Sequence, residues 1–313
     1  MRSPAMHVAL WGPSDHVAAA EADALRDRLA ALDLTVTHVG ADAAPSAETQ
    51  VVVVNSKMQV GAKAFDWLKD LKLVVTTTSG YDHIDLGAAR ERGIRVARCA
   101  RSRRDAVVDT SLAMATALQR RLPLTTAAAA AGRWMRADVK AWPIPLFSTL
   151  TVAVLGQGVI GRRASEVWQA LCATVLACDP ILPAAPTLAE ALARADVVTL
   201  HCSLTETSRR MIDAAALAAM KPGAILVNTA RGECVDEAAL LADTRLGGIG
   251  LDVFASEPWV DSAALLAKGN VLVSPHSAGW HAGLGASLND EVVTQVNAWL
   301  KGLALEGEVG LTG

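Results

Sequence analysis

The feature that most constrains the fold is TVAVLGQGVIG at residues 151–161, an apolar run that leads into three closely spaced glycines. Gly156, Gly158 and Gly161 match the spacing GxGxxG, and an amphipathic helix is predicted directly after them. In such a unit the first glycine permits a tight turn, the second lets the backbone approach a pyrophosphate, and the third lets helix and strand pack closely. The pattern predicts a phosphate site at the positive end of that helix.

The next predicted strand ends in an acidic residue. Strand 174–178 runs into Asp179, eighteen residues after Gly161. A carboxylate there can accept hydrogen bonds from ribose hydroxyls and would repel a 2′-phosphate, so the pattern favours NAD over NADP. A GxGxxG alone is weak evidence, because glycines also occur in ordinary turns. Strand, loop, helix, strand and acid together predict a dinucleotide site.

Strand-like and helix-like segments alternate along the rest of the chain. Short apolar runs predict strands at 6–11, 34–39, 51–55, 71–77, 94–97, 151–155, 174–178, 196–200, 224–228, 248–252 and 271–273. The longest helices are predicted at 105–122, before Pro123, and at 287–300. Strands that alternate with helices are typical of an α/β fold, with parallel sheets covered on both faces.

Composition argues against several classes of protein. The net charge of −3 lacks the basic footprint of a nucleic-acid-binding protein. No apolar run reaches the roughly 18 residues of a membrane span, and the N-terminal segment lacks a signal-peptide pattern, so we expect a cytoplasmic protein. The five cysteines are odd in number and form no CxxC pair. We therefore expect reduced thiols, and no metal site.

Three polar residues follow predicted strands of the second half. Arg231 lies in ILVNTARG, Glu257 in GLDVFASEP and His276 in VLVSPHSAG. Ligands of open α/β sheets bind beyond the carboxyl ends of the strands, where all three are expected. Arginine can hold a carboxylate through two hydrogen bonds, histidine can give a proton to a forming alkoxide, and a carboxylate can fix the histidine tautomer. Singly, each residue has an ordinary structural explanation; only their joint placement predicts catalysis on a 2-oxo acid.

Nearly the whole chain resembles the D-isomer-specific 2-hydroxyacid dehydrogenase family. The stretches that carry the resemblance are TTTSGYDHIDL (76–86), VLGQGVIG, ADVVTLHCSLTETSR (195–209), MKPGAILVNTARG (220–232), GLDVFASEP and SPHSAG. The resemblance implies a Rossmann dinucleotide-binding domain, residues 99–287, inserted into a flavodoxin-like substrate domain, residues 1–98 plus 288–313, with the active site between them. It also implies a homodimer joined largely through the Rossmann domains.

The resemblance also implies roles for individual residues. Arg231, Glu257 and His276 correspond to the family's catalytic triad. The residues expected to bind NAD are Gly156, Gly158, Val159, Ile160, Gly161, Asp179, Thr207, Thr229, Ala230 and Asp252. The residues expected to bind the 2-oxo acid are Ser79, Gly80, Arg98 and Arg231.

Several departures from the family pattern surround the predicted site. Val159 and Ser203 replace residues of other types, and the segment between Asp179 and Ala195 is short enough for one Rossmann strand or its turn to be missing. RCARSRRD (98–105) concentrates four arginines near Lys57, after the third strand. The simpler interpretation is a solvated basic loop. The sharper hypothesis is that Arg98 or a neighbour binds a second anionic group of the substrate, such as a carboxylate, phosphate or phosphonate.

Two other functions are compatible with this fold, since fold alone does not determine function. One is an NAD(H)-sensing corepressor or scaffold that keeps the triad but acts through its surface. The other is a Rossmann oxidoreductase that acts on an aldehyde hydrate or an inorganic oxyanion. The leading interpretation stays an NAD-dependent oxidoreductase of small 2-hydroxy acids, with no nucleic-acid or membrane partner.

Overall fold

The structure, a computed structural model, describes residues 6–12, 19–259 and 263–310. The chain forms two compact units, which comprise Met1–Arg103 with His281–Gly313 (unit 1) and Arg104–Trp280 (unit 2). Unit 2 is therefore inserted into the chain of unit 1. The domain boundaries predicted from the sequence, 98/99 and 287/288, stay a prediction of how the functional domains divide.

The strands of the described residues lie close to the predicted positions. In chain order they are β1 (His7–Trp11), β2 (Thr35–Val39), β3 (Val51–Val54), β4 (Leu73–Thr76), β5 (Arg95–Arg98), β6 (Thr151–Leu155), β7 (Thr174–Cys178), β8 (Val197–Leu200), β9 (Ile225–Asn228), β10 (Gly248–Leu251), β11 (Val271–Val273) and β12 (Glu308–Val309). Only β12 has no counterpart among the sequence predictions, because two residues carry no periodic pattern.

Helices connect most of these strands. They are α1 (Ala19–Ala30), α2 (Ala62–Trp67), α3 (Leu86–Glu91), α4 (Arg101–Gln119), α5 (Leu122–Ala130), α6 (Arg136–Ala141), α7 (Val159–Gln169), α8 (Leu188–Arg194), α9 (Ala214–Ala219), α10 (Glu237–Ala242), α11 (Ala263–Leu266) and α12 (Leu284–Leu300). Short 3-10 turns lie at Phe147–Thr149 and Gly232–Cys234. Among the described residues, no helix is both long and apolar enough to cross a bilayer.

The helix predicted at 105–122 was wrong at both ends. Helix α4 begins at Arg101 and ends at Gln119, and a second helix follows at Leu122. Arg121 separates the two helices with a left-handed φ of +54°. Pro123 therefore lies in the first turn of α5, where its missing N–H has no helical acceptor to lose.

Unit 1 is built on a six-stranded sheet in the order β12-β5-β4-β3-β1-β2. Neighbouring strands are parallel except β12, which pairs antiparallel with β5. The order 2-1-3-4-5 of its first five strands is flavodoxin-like. Strand β3 shows why the sheet is buried on both faces: Val51 and Val53 face α1 and α12, and Val52 and Val54 join the core that α2 and α3 cover.

Unit 2 has a wholly parallel six-stranded sheet in the order β11-β10-β9-β8-β6-β7. This is a Rossmann sheet that ends one strand early beside β7, because a turn and α8 directly connect β7 to β8. The expectation that a Rossmann strand is missing after Asp179 is thus confirmed. The valine and alanine side chains of β6 alternate between two cores: Ala153 and Leu155 pack on one face, Val152 and Val154 on the other.

Candidate active site

The loop between β6 and α7 has the geometry of a phosphate-binding loop. Gly156 has a φ of +93°, and a Cβ there would lie 2.6 Å from the backbone nitrogen of Cys202. A Cβ on Gly161 would overlap the carbonyl oxygen of Gly156. Gly158 precedes α7 in an extended conformation, and no described side chain caps the helix. The first N–H groups of α7 are thus left for an anion.

Asp179 lies beside this loop, as the sequence predicts. Its Oδ2 accepts a hydrogen bond from the Gln157 backbone N–H at 2.7 Å, and its Oδ1 accepts one from the Ile181 N–H at 3.1 Å. Each carboxylate oxygen can accept a further hydrogen bond. The position after β7, next to the glycine loop, fits recognition of ribose hydroxyls.

Two buried polar atoms after the neighbouring strands β8 and β9 lack a hydrogen-bond partner among the described residues. They are Nδ1 of His201, which follows β8, and Oγ1 of Thr229, which follows β9. Burial lowers the pKa of His201 to about 4, so its ring is neutral at neutral pH. Buried polar groups are normally hydrogen-bonded. Two such atoms without a partner at one sheet edge therefore fit a site where a ligand binds. With the glycine loop and Asp179, this edge fits a dinucleotide.

Arg231, Glu257 and His276 follow three neighbouring strands of the unit 2 sheet. Strands β9, β10 and β11 are adjacent and parallel. The loops that leave their carboxyl ends therefore lie at one edge of the sheet, where α/β proteins bind ligands.

The structure brings His276 and Glu257 into direct contact. Nδ1 of His276 lies 2.7 Å from Oε2 of Glu257, and Oε1 of Glu257 accepts a hydrogen bond from the Phe254 N–H at 3.0 Å. The side chains keep 50% and 34% of their surface exposed, so a small molecule can reach the imidazole. A carboxylate on Nδ1 fixes the ring orientation and leaves Nε2 to exchange a proton with a substrate.

Asp252 holds the loop that carries His276. Its carboxylate, 1% exposed, accepts hydrogen bonds from the Ser274 hydroxyl at 2.5 Å and from the backbone N–H groups of Ser277 at 2.8 Å and Ala278 at 3.0 Å. His276 itself has a left-handed φ of +50°, and its N–H donates to the Asp252 carbonyl at 2.7 Å. A non-glycine residue in this conformation is strained, and here the surrounding bonds define it. The predicted role of Asp252 in binding the cofactor stays a prediction.

Arg231 lies in a turn packed against the Glu257 loop. Gly232 leaves no room for a Cβ, because the atom would overlap the Phe254 backbone. The Arg231 carbonyl accepts a hydrogen bond from Nδ2 of Asn228 at 2.8 Å, and its Nη1 donates to the Ala230 carbonyl at 2.9 Å. These contacts hold the turn that carries Arg231 at the same sheet edge as His276 and Glu257.

In unit 1, the predicted carboxylate-binding residues Ser79 and Gly80 lie in the loop after β4. Oγ1 of Thr78 donates to the Gly80 carbonyl at 2.8 Å and lies 2.7 Å from Oγ1 of Thr76. Oγ1 of Thr76 is in turn 3.0 Å from Nε2 of the buried His83. The Ser79 hydroxyl oxygen is buried without a hydrogen-bond partner in the described ranges. These hydrogen bonds shape the loop, and the Ser79 hydroxyl still has a hydrogen to donate.

Two of the four clustered arginines contact this loop. Arg98 Nη1 donates to the Ser79 carbonyl at 3.0 Å, and its guanidinium lies 5.3 Å from the centroid of the Tyr81 ring. Arg103 Nη1 donates to the Thr77 carbonyl at 3.0 Å, and burial lowers its pKa. Both guanidinium groups therefore lie at this loop, where a charge-assisted bond to an anion is strong.

The other two arginines form exposed ion pairs. Arg101 binds Glu306 at 2.5 Å, and Arg104 binds Asp105 at 2.9 Å. Exposed pairs of this kind contribute about 0–1 kcal/mol. For Arg101 and Arg104 the structure favours the simpler interpretation, a solvated basic surface.

The remaining predicted cofactor residues are single positions on these loops. Val159 and Ile160 open α7, Ala230 is buried after β9, and Oγ1 of Thr207 lies 3.1 Å from Oγ1 of Thr205 in an exposed turn. Their contacts with a cofactor stay predictions. Four further residues had no predicted role, although all lie in motifs that carry the family resemblance: Thr76, His83, His201 and Ser274. Only their hydrogen bonds reveal what they support.

The chain is similar to known dehydrogenases. Residues 112–278 match the family described as D-isomer specific 2-hydroxyacid dehydrogenase, NAD binding domain. The chain is 35% identical to (S)-sulfolactate dehydrogenase of Chromohalobacter salexigens, across 83% of this chain and 88% of the relative. It is 36% identical to D-3-phosphoglycerate dehydrogenase of Mycobacterium tuberculosis, across 83% of this chain but only half of that relative's length.

A solved structure shares the fold. A D-lactate dehydrogenase from Aquifex aeolicus aligns with a TM-score of 0.78 at 24% identity, across 94% of this chain and 96% of that one. The chain belongs to the D-isomer specific 2-hydroxyacid dehydrogenase family. It is an NAD-dependent oxidoreductase of that family, and its cofactor is NAD.

Proposed function

We propose that the chain catalyses reversible hydride transfer between NAD(H) and C2 of a small D-2-hydroxy or 2-oxo acid. The observation that carries the proposal is the 2.7 Å contact between His276 Nδ1 and Glu257 Oε2, on loops next to the turn that bears Arg231. When bound, the nicotinamide supplies or accepts the hydride. The chain's own residues must then bind the acid and move one proton.

His276 is the proposed proton donor in the reducing direction. Glu257 holds Nδ1, so Nε2 gives its proton to the oxygen on C2 as negative charge develops there. The carboxylate also stabilises the positive charge of the imidazolium before transfer. In the oxidising direction the same nitrogen takes the hydroxyl proton.

Arg231 is the proposed anchor of the C1 carboxylate and of the neighbouring carbonyl oxygen. A guanidinium presents two parallel N–H groups that match a carboxylate, and its charge polarises a carbonyl. The loop with Ser79 and Gly80 is proposed to bind a carboxylate of the acid through backbone N–H groups and the Ser79 hydroxyl. The buried, unpartnered oxygen of Ser79 supports that role.

We propose further that the preferred substrate carries a second anionic group. Arg98 ends β5, Lys57 follows β3, and Arg103, in the first turn of α4, donates to the Thr77 carbonyl after β4. Strands β5, β4 and β3 are neighbours in the unit 1 sheet. Sulfolactate and 3-phosphoglycerate, which the relatives named above act on, both carry two anionic groups. Relatives named glycerate dehydrogenase and hydroxypyruvate reductase match at 33% and 31% identity, so the charge of the substrate needs a direct test.

The test is NADH oxidation by the purified full chain with two groups of 2-oxo acids. Glyoxylate and hydroxypyruvate carry one anionic group; oxaloacetate, sulfopyruvate, phosphonopyruvate and phosphohydroxypyruvate carry two. One additional hydrogen-bonded charge contributes about 1.5–3 kcal/mol, so we expect kcat/KM to be about 10- to 150-fold higher for a member of the second group. A clear preference for the first group contradicts the second anion site. No turnover of any acid, with tight NADH binding retained, contradicts the dehydrogenase proposal.

We also propose that the protein is a cytoplasmic homodimer. Large apolar side chains from the start of α5 to the residues before β6 support this, since Leu122, Trp134 and Leu146 expose 51%, 86% and 67% of their surface. Exposed apolar groups of this size are typical of an interface, and a second copy is the proposed occupant. Sedimentation equilibrium should give twice the chain mass, and Trp134→Lys should shift it toward the monomer.

The corepressor alternative has no support among the dehydrogenases and reductases that the chain matches.

A further inference from the structure

Two thiols that the proposed reaction does not use lie side by side in unit 2. Cys202 follows β8, and Cys234 ends the 3-10 turn Gly232–Cys234. Although 32 residues separate them in the chain, their Sγ atoms are 3.8 Å apart. A backbone bond also holds the Cys234 turn against the chain that follows Cys202, because the Ile212 N–H donates to the Cys234 carbonyl at 3.1 Å.

The surroundings of the pair favour thiol chemistry. Cys234 is fully buried, whereas Cys202 is partly exposed and so gives a small oxidant access to the pair. The S–H of Cys202 directed at Cys234, the Ser208 hydroxyl and the charge of Arg231 lower the pKa of Cys234. A thiolate is the reactive form of cysteine. The same contact, together with burial, raises the pKa of Cys202, so Cys234 is the more readily ionised of the two thiols.

Both cysteines are attached to parts of the candidate active site. The backbone of Cys202 lies against Gly156 so closely that a Cβ on the glycine would lie 2.6 Å from the Cys202 nitrogen. Cys234 is three residues after Arg231, whose turn also contacts the Phe254 backbone through Gly232. A bond between the sulfurs would therefore displace the phosphate loop on one side or the Arg231 turn on the other.

We propose that Cys202 and Cys234 form a peroxide-driven, reversible disulfide that reduces cofactor binding and turnover. The sulfurs must approach each other by about 2 Å to bond. Displacements of about 1 Å at a catalytic constellation can reduce the rate about 100-fold. The proposal rests on the NAD site that the family shares, and not on the identity of the 2-oxo acid.

The chemistry balances in two steps. A thiolate of the pair attacks hydrogen peroxide, forms a sulfenic acid and releases hydroxide. The second thiol then attacks the sulfenic sulfur, forms the S–S bond and releases water. The two thiols lose two electrons, which peroxide takes up, and a dithiol such as dithiothreitol reverses the change by exchange.

The experiment treats the reduced full chain with hydrogen peroxide and follows peptide linkage and NADH affinity in parallel. Trypsin releases Cys202 within residues 195–209 and Cys234 within residues 232–245, so a disulfide gives one crosslinked mass. We expect this mass to appear, the NADH Kd to rise at least about tenfold by nicotinamide fluorescence, and dithiothreitol to reverse both changes. Linkage is measured without any substrate, so a failed activity assay cannot be mistaken for a failed disulfide.

Matched variants separate the pair from other thiols. Cys234→Ser should abolish the crosslinked mass and leave NADH affinity within about twofold after peroxide treatment, and Cys202→Ser serves as a second, independent variant. Cys172, whose Sγ donates to the Trp168 carbonyl at 2.9 Å, is the control, and Cys172→Ser should keep the full peroxide response. The proposal is overturned if peroxide yields no 195–209/232–245 crosslink, or if the crosslink forms and NADH affinity stays unchanged. A reversible loss of affinity that survives in Cys234→Ser also overturns it.

Discussion

The two units present the same kind of sheet edge but build it from opposite charges. At the unit 2 edge, carboxylates organise the loops: Asp252 holds the His276 loop and Glu257 holds its ring. At the unit 1 edge, cations and hydroxyls do so, with Arg98 and Thr78 bound to carbonyls of the 79–80 loop. A histidine that exchanges a proton needs acceptors around it, whereas a loop that binds an anion needs surplus donors. This difference is what the proposed function requires, a proton-transfer edge in unit 2 and an anion-binding edge in unit 1.

The largest effect is expected from removing the imidazole of the unit 2 edge. His276→Ala should lower kcat for reduction about 10²- to 10⁴-fold, because proton donation acts in the transition state, and should change the NADH Kd less than about twofold. Steady-state kinetics and nicotinamide fluorescence measure the two quantities. His38, an exposed histidine of β2, gives the control His38→Ala. A fall in kcat of less than about tenfold would show that His276 is not the general acid.

The next effect tests whether a carboxylate positions that imidazole. Asp252→Asn places an amide donor where the Ser277 and Ala278 N–H groups donate, which should destabilise the fold by about 1–3 kcal/mol and reduce kcat about 10- to 100-fold. Thermal unfolding and kcat measure the two effects. Asp213→Asn is the matched control, because asparagine caps α9 as well as aspartate does. If kcat survives in Asp252→Asn while the melting temperature falls, the buried carboxylate stabilises the unit without positioning the ring.

Removing one cation from the unit 1 edge should affect substrate binding and spare the chemistry. Arg98→Ala should raise KM for a two-anion substrate about 10- to 100-fold, with a change in kcat below about threefold. Arg101→Ala removes a neighbouring arginine that pairs with Glu306 on the surface, and should leave KM unchanged. Equal KM effects of the two variants would contradict an anion-binding role for Arg98.

The smallest effect concerns the acid beside the glycine loop. Asp179→Ala removes the carboxylate that would repel a 2′-phosphate, so the kcat/KM ratio for NADPH over NADH should rise about tenfold, or about 1.4 kcal/mol. Parallel kinetics with the two cofactors at one substrate concentration series measure this ratio. An unchanged ratio would mean that Asp179 binds only the Gln157 and Ile181 N–H groups and takes no part in cofactor discrimination.

Much of the fold was predictable because its sheets are buried on both faces. The four valines of β3 and the apolar run of β6 have no polar face, which is typical of central parallel strands. The glycine loop was equally readable, since Gly156 and Gly161 have no space for a side chain. Helix ends were less predictable: the helix before Pro123 ends at Gln119 because Arg121 adopts a left-handed conformation, a local choice that periodicity does not encode.

The candidate site, like the fold, was predictable from the sequence only in part. Residue types and strand ends in the sequence indicated Arg231, Glu257 and His276, because parallel strands direct their following loops to one edge. Tertiary structure alone revealed that Asp252 holds the His276 loop and that Cys202 lies next to Cys234. It also showed that Arg98 contacts the Ser79 loop, whereas Arg101 pairs with Glu306 on the surface. Each of these depends on a distance between side chains far apart in the chain, and such distances follow from how sheets and helices pack together rather than from local periodicity.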